Sequence, residues 1–274
     1  MGKKSIKKFN ETVDFLHTKY RETPTIGIIL GSGLGSVINE IQVEMEVEYS
    51  DIPHFPLSTV EGHSSKLIFG KLSGKTVVVM SGRFHHYEGY SGKEIIYPVR
   101  VMKMLGVQTL LLSNAAGAVN PEYRVGDLMM IRDHISFFLP NPLVGKNESL
   151  FGPRFPDMGE PYSLGLREKA RVIASLNQFD VWEGVYVAVT GPTFETPAEY
   201  KFIHAMGADV VGMSTVTECI AARHMGMDVF AMSVITDIGL RSDGLVTTHE
   251  EVLEAARNVE PRMGVIFREL AAAI

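Results

Sequence analysis

The sequence predicts a single α/β domain with a mixed central β-sheet flanked by helices. Three observations carry that expectation. Short apolar runs alternate with helix-patterned stretches along the chain, as in βα units around a parallel sheet. One pair of runs is joined by a two-residue turn, which implies an antiparallel pairing, so the sheet is mixed. The 274 residues, 45% hydrophobic and 21% charged, suit one large core, and no repeat, low-complexity tract or linker divides them.

The elements follow in order. The start MGKKSIKK is basic, and Phe9, Val13 and Leu16 follow at helical spacing, which predicts the solvated first turn of a helix rather than a targeting signal. TIGIIL (25–30) is a strand. VEMEVEY (43–49) alternates, with Val43, Met45, Val47 and Tyr49 on one side and Glu44, Glu46 and Glu48 on the other, a strand with one wet face. KLIFGKLSGKTVVVM (66–80) reads as two strands about a turn at Ser73-Gly74, the glycine at positive φ. Residues 91–105 are helical, with a bend near Pro98. QTLLLSN (108–114) and DLMMIRDHI (127–135) are strands. The polar stretch 139–163 is longer than an ordinary connection, and such loops are often functional. Then come helix 165–176, strand GVYVAVT (184–190), helix AEYKFIHAMG (198–207), strand ADVVGM (208–213), helix 215–225 and strand DVFAMSVIT (228–236). A last helix starts at Thr248-His249-Glu250-Glu251, with Pro261 as a kink.

Charge and composition exclude several functions. A net charge of -6 is a poor match for a nucleic-acid backbone. No apolar run approaches the roughly 20 residues of a membrane span. A single cysteine, Cys219, leaves no internal disulfide, and its helix-like surroundings read as a buried small apolar side chain. A cytoplasmic protein is the simplest expectation.

The stretch IGIILGSGLGS (26–36) ends an apolar run in a glycine-rich turn, which suits an anion held by backbone N–H groups. Gly31, Gly33 and Gly35 fall one residue short of the dinucleotide fingerprint G-x-G-x-x-G. GKLSGKT (70–76) has three residues where a P-loop needs four, and lies between two strands. Around Ser32 the first glycine of a nucleophile elbow is replaced by Leu30. A small anion such as free phosphate remains, with the Ser32 hydroxyl as a donor, as does a plain tight turn.

Four further clusters stack polar residues at strand ends. Gly82-Arg83-Phe84-His85-His86-Tyr87-Glu88-Gly89 offers a planar guanidinium fork and a histidine two residues on. The adjacent histidines have no further His, Cys or Asp spacing that would support a metal. Ser113-Asn114-Ala115-Ala116-Gly117 is small enough to leave room for a ligand. Thr190-Gly191-Pro192-Thr193-Phe194-Glu195-Thr196-Pro197 brings an aromatic face and a carboxylate, suited to a flat base, with Thr193 or Thr196 as a helix cap. Val211-Gly212-Met213-Ser214-Thr215 runs from strand into helix, with Ser214 placed as N-cap and anion donor.

LGSGLG, EGHSSKLIFG, GRFHHYEGY, PVRVMKMLGV, NAAGAVNP, GDLMMIRDHI, FGPRFPDM, GPTFETPAE, GADVVGMST and THEEVL occur in this order along nearly the whole chain. Together they resemble the trimeric purine nucleoside phosphorylases, enzymes of the nucleoside phosphorylase/hydrolase-like fold. The resemblance implies phosphate contacts from Ser32, His63, Arg83, His85, Ala115 and Ser214. It implies ribose contacts from Tyr87 and Met213, with His249 near the 5′-hydroxyl, and base contacts from Asn114, Tyr186, Phe194, Glu195 and Val211. Phe155 then closes the site of a neighbouring subunit in a homotrimer. His85, Glu195 and Asp237 are the expected catalytic residues, phosphate is a substrate, and no metal or organic cofactor is needed.

One departure bears on specificity. The family members specific for 6-oxopurines usually carry Asn where SVITDIGL has Asp237. An ionised Asp cannot donate to the base but accepts from a 6-amino group. The expectation is therefore an enzyme for inosine and guanosine that tolerates 6-aminopurines. A methylthioadenosine phosphorylase and a non-catalytic nucleoside-binding protein are the alternatives; His249 and the phosphate clamp argue against them in turn.

Overall fold

The computed structural model describes residues 2–31, 35–57, 64–239 and 248–274. Helix α1 (Gly2–Lys19) buries Phe9, Val13 and Leu16, the face its spacing predicts. The strands are β1 (Ile26–Leu30), β2 (Gln42–Glu48), β3 (Lys66–Leu72), β4 (Lys75–Ser81), β5 (Thr109–Ala118), β6 (Leu128–Ile135), β7 (Val181–Ala188), β8 (Val210–Gly212) and β9 (Asp228–Ile238). The helices that follow α1 are α2 (Gly92–Ile95), α3 (Tyr97–Leu105), α4 (Leu164–Leu176), α5 (Pro197–Ala205), α6 (Val216–His224) and α7 (His249–Ala273).

The sheet is mixed, as the hairpin requires. β3 and β4 pair antiparallel about Ser73 and Gly74, both at positive φ (50° and 78°), the geometry of a tight hairpin turn. β4, β1 and β5 run parallel. β5 then pairs with β8, β8 with β7, β7 with β6, β6 with β9, and β9 back with β5. Five strands thus close into a ring that continues an open sheet, a closure that alternation of strands and helices does not reveal.

Local chemistry explains most element boundaries. Pro98 sits in the first turn of α3, where its missing N–H costs nothing, so the helix predicted over 91–105 is split at Ile96. Thr196 caps α5 and Thr248 caps α7, each in a reciprocal box with the glutamate three residues on. Pro261 lies inside α7. The alternation of β2 is only half realised: Val47 and Tyr49 are buried, whereas Val43 is exposed. A register shift between Val43 and Met45 rotates the start of this edge strand outward. β5 also runs further than predicted. The small residues Ala115–Ala118 are held in extended form by β9 on one side and, at Gly117 and Ala118, by β8 on the other.

The apolar core lies on both faces of the sheet. One cluster joins α1, α3 and α6 to it, and another joins α4 and α7. Cys219 is fully buried in the first, where burial pushes its thiol up to about 12. Among the described residues no helix is long and apolar enough to cross a membrane.

Candidate active site

A cavity of about 440 Å³ opens where β1, β4, β5, β8 and β9 end or meet. Arg83, His85, Tyr87, Asn114, Ala115, Phe194, Glu195, Val211, Met213, Ser214 and Asp237 all line it, so residues spread over more than half the chain meet there. Ser32 and His63 lie outside the described residues, as does the side chain of His249. Tyr186 is not in the wall. Its ring lies buried under Gly212, and its hydroxyl accepts a 3.3 Å bond from the Ser214 N–H, so it supports Ser214 from beneath. Phe155 does not line this cavity and is 86% exposed, with the Arg154 guanidinium 5.4 Å from its ring.

The floor of the site is a hydrogen-bond network around Arg83, which is 1% exposed. One Nη donates to the hydroxyls of Ser214 and Thr215, both at 3.0 Å. The other donates to the carbonyls of Ile29 (3.0 Å) and Ser113 (2.8 Å). Glu218 lies 3.6 Å from Nε and is itself 3% exposed. The guanidinium fork thus donates to groups of the chain while Arg83 lines the cavity, and Ser214 carries its polarity toward the open space.

That network fixes the direction of one proton. Thr215 Oγ1 accepts from Arg83 and from Asn114 Nδ2 (2.9 Å), and lies 3.1 Å from Ser214 Oγ. With both its acceptor positions used, the Thr215 hydroxyl donates to Ser214. Ser214 Oγ then accepts from Thr215 and Arg83, and its own proton is left to donate into the cavity. Asn114 Oδ1 is buried with no hydrogen-bond partner among the described residues, an acceptor on the same wall. Ser214 is not the helix cap predicted for it. Thr215 takes that position in α6 at φ 70°, a strained conformation for a β-branched residue, because both hydroxyls are drawn to Arg83.

Glu88 is a site residue that the sequence reading missed. Its carboxylate accepts from the His85 N–H (2.9 Å) and lies 2.8 Å from Nδ1, and its side chain is 2% exposed. The carboxylate fixes the proton on Nδ1 and turns Nε2 to the other side of the ring. The ring stacks on Tyr87 at 4.5 Å, which holds its plane. The i, i+3 spacing of His85 and Glu88 was a signal available in GRFHHYEG. Replacing Glu88 with Gln removes a charge-assisted bond of about 1.5–3 kcal/mol. The KM for phosphate should rise about 10- to 100-fold with little change in the KM for the nucleoside, measured in steady-state kinetics of base release.

The lining also carries two acids, Glu195 and Asp237. A bulge between Ala116 and Gly117 of β5 leaves Thr236 as the extra residue of β9, so both Thr236 and Asp237 line the cavity. The Asp237 carboxylate accepts from the Thr236 hydroxyl at 3.1 Å and packs on the bare face of Gly117. Burial raises the pKa of Glu195, and the field of Asp237 adds to the rise, opposed by hydrogen bonds from backbone and from Tyr200. Phe194 stands beside them, 42% exposed. Among the described residues no group of three His, Cys, Asp or Glu could hold a metal ion.

A donor hydroxyl on a cationic floor shares one cavity with an aromatic and two carboxylates, and the chain that builds it is similar to known proteins. Residues 25–272 match the model of the phosphorylase superfamily. The chain is 52% identical to purine nucleoside phosphorylase 1 of Geobacillus stearothermophilus, over 91% of each chain. The chain belongs to the purine nucleoside phosphorylase family. Solved structures of the Schistosoma mansoni family member agree in fold. Its complex with adenosine superposes with a TM-score of 0.94 at 43% identity, covering 98% of both chains. Its complex with inosine does so at 0.93 and 42%, covering 98% of this chain and 97% of that one. The family shares the mixed α/β sheet flanked by helices, and its activity is transfer of a pentosyl group to phosphate.

Proposed function

We propose that this chain catalyses reversible phosphorolysis of purine ribonucleosides and deoxyribonucleosides, inosine and guanosine among them, and that Asp237 extends the site to 6-aminopurines. The products are the free base and the pentose 1-phosphate. The observation that carries the reading is the free proton of Ser214 above a buried guanidinium: it presents a donor and a positive field to an anion. Phosphate held there by Ser214 and His85, with Ser32, His63 and the Ala115 backbone, lies beneath the sugar. As the glycosidic bond breaks, positive charge grows on the ribose and negative charge on the purine. The phosphate stabilises the first and attacks C1′, and the pair separates without an organic cofactor or metal.

On the other wall Glu195 accepts from the base N–H groups, Phe194 and Val211 cover its faces, and Asn114 and Asp237 meet its remaining edge. Tyr87, Met213 and His249 hold the ribose. Adenosine and inosine complexes of the Schistosoma mansoni relative support a site of this shape that accommodates either 6-substituent. The exposure of Phe155 (86%) and Phe137 (88%) supports a homotrimer in which Phe155 enters the neighbouring site. The enzyme would serve purine salvage in the cytoplasm.

The decisive assay follows base release from inosine and from adenosine with and without phosphate. Release that depends on phosphate and yields pentose 1-phosphate supports the reading. Release of equal rate without phosphate would make the chain a hydrolase, and binding without release would make it a carrier.

A further inference from the structure

A second cavity, of about 300 Å³, lies between α1, α2, α3, the end of α6 and the loop 142–148. Among the described residues it shares none of its lining with the first. Two buried side chains belong to its lining, and each has a polar atom without a hydrogen-bond partner among the described residues. Arg100 of α3 is 9% exposed, and its Nε is sealed from solvent with no hydrogen-bond partner among the described residues. Its guanidinium lies 4.6 Å from the centre of the Phe151 ring, and Glu148 is the acid whose field reaches it. Burial lowers its pKa, a measure of how poorly its charge is compensated. His224, 3% exposed, donates from Nε2 to the Pro153 carbonyl at 2.9 Å. Its ring is kept neutral by burial, so Nδ1 carries a lone pair, and that atom too is buried without a partner among the described residues.

The rim is basic. Lys8, Lys93 and Lys146 are exposed along it, against Glu94 and Glu148. Glu94 is already occupied in capping α2. A buried guanidinium with an open donor seeks an oxyanion, and a neutral imidazole nitrogen seeks a hydroxyl proton. One ligand satisfies both: an anion of the phosphate class that also carries a hydroxyl. Inorganic phosphate qualifies through its P–OH, and a small sugar phosphate through its ring hydroxyls; sulfate offers the anion without the proton. We propose that this cavity is a second site for phosphate or a small phosphomonoester, anchored by Arg100 and His224 and separate from the site of catalysis.

Titration calorimetry on the full-length protein tests it with three probes: inorganic phosphate, ribose 5-phosphate and sulfate. The expected result is two phosphate sites per chain. In the variant Lys93→Glu/Lys146→Glu, which alters only exposed side chains, the second site should weaken about tenfold or more through lost attraction and added repulsion. Turnover at saturating phosphate should stay unchanged. The second site should prefer phosphate over sulfate about tenfold, the value of one hydrogen bond to His224. Tighter binding of ribose 5-phosphate than of phosphate would identify the phosphomonoester as its ligand, and the reverse would identify the free ion. One phosphate per chain would overturn the proposal, as would a second site untouched by the lysine changes or equally filled by sulfate. Arg100→Lys, which keeps the charge but loses the planar fork, gives an independent arm, because a folded variant that binds two phosphates as tightly as before also excludes the anchor.

Discussion

Replacing Arg83 with Met should both destabilise the fold and abolish most of the activity, and a second substitution should separate the two effects. Arg83 donates four hydrogen bonds within the chain and balances Glu218 in a place neither shares with solvent. Removing one member of a buried pair costs about 3–5 kcal/mol, because the other charge is left without compensation. Urea denaturation should register that loss. In the variant Arg83→Met/Glu218→Leu no charge is stranded, and most of the lost stability should return. Activity should not return with it. Without Arg83 the Ser214 hydroxyl loses both its orientation and the positive field behind it, and kcat/KM for phosphate should stay down by about 10³-fold, the scale of an anion-stabilising donor. Near-normal turnover in the double variant would reduce Arg83 to a scaffold and remove the charge from the mechanism.

That test matters because the role of Arg83 was only half legible in the sequence. Its presence in the site followed from GRFH at the end of a strand. The commitment of its fork did not, since the acceptors are carbonyls of β1 and β5 and hydroxyls some 130 residues later in the chain. Local signals fixed what local chemistry determines. The Ser73-Gly74 turn, the Thr196 and Thr248 caps and the buried stripe of α1 each depend on a few neighbouring residues, and each forms as read.

What escaped was set by pairing between distant segments. Ala115 to Ala118 have no strong strand preference, yet β9 holds them extended and so aligns Asn114, Ala115 and Gly117 along one wall. The ring formed by β5 to β9 depends on the same contact. Strict alternation in β2 suggested a regular strand, but an edge strand tolerates a register shift that a central strand would not, and Val43 turns outward. The resemblance implies a base contact from Tyr186. In the structure the bare face of Gly212 lets its ring pack underneath, and its hydroxyl steadies Ser214.

The bulge in β9 gives the second large effect. By turning both Thr236 and Asp237 into the cavity it sets a carboxylate where the family resemblance implies an amide for 6-oxopurine specificity. Asp237→Asn preserves shape, and the acceptor for the Thr236 hydroxyl survives as the amide oxygen, so stability should change little. Specificity should change a great deal. A carboxylate accepts from a 6-amino group and repels a 6-oxo group, whereas an amide can donate to that oxygen. One charge-assisted bond lost on adenosine, or one repulsion relieved on inosine, is worth about 1.5–3 kcal/mol, so the adenosine-to-inosine ratio of kcat/KM should fall about 100-fold. The pH profile supplies a second readout. Burial raises the pKa of Glu195 and the Asp237 charge raises it further, so the form that accepts from the base is lost on acidification at a higher pH than for an ordinary glutamate. Neutralising residue 237 removes that second contribution, and the acid limb of kcat/KM should move to lower pH. An unchanged ratio with an unmoved limb would place Asp237 away from the base and leave the choice of purine to Glu195 and Asn114.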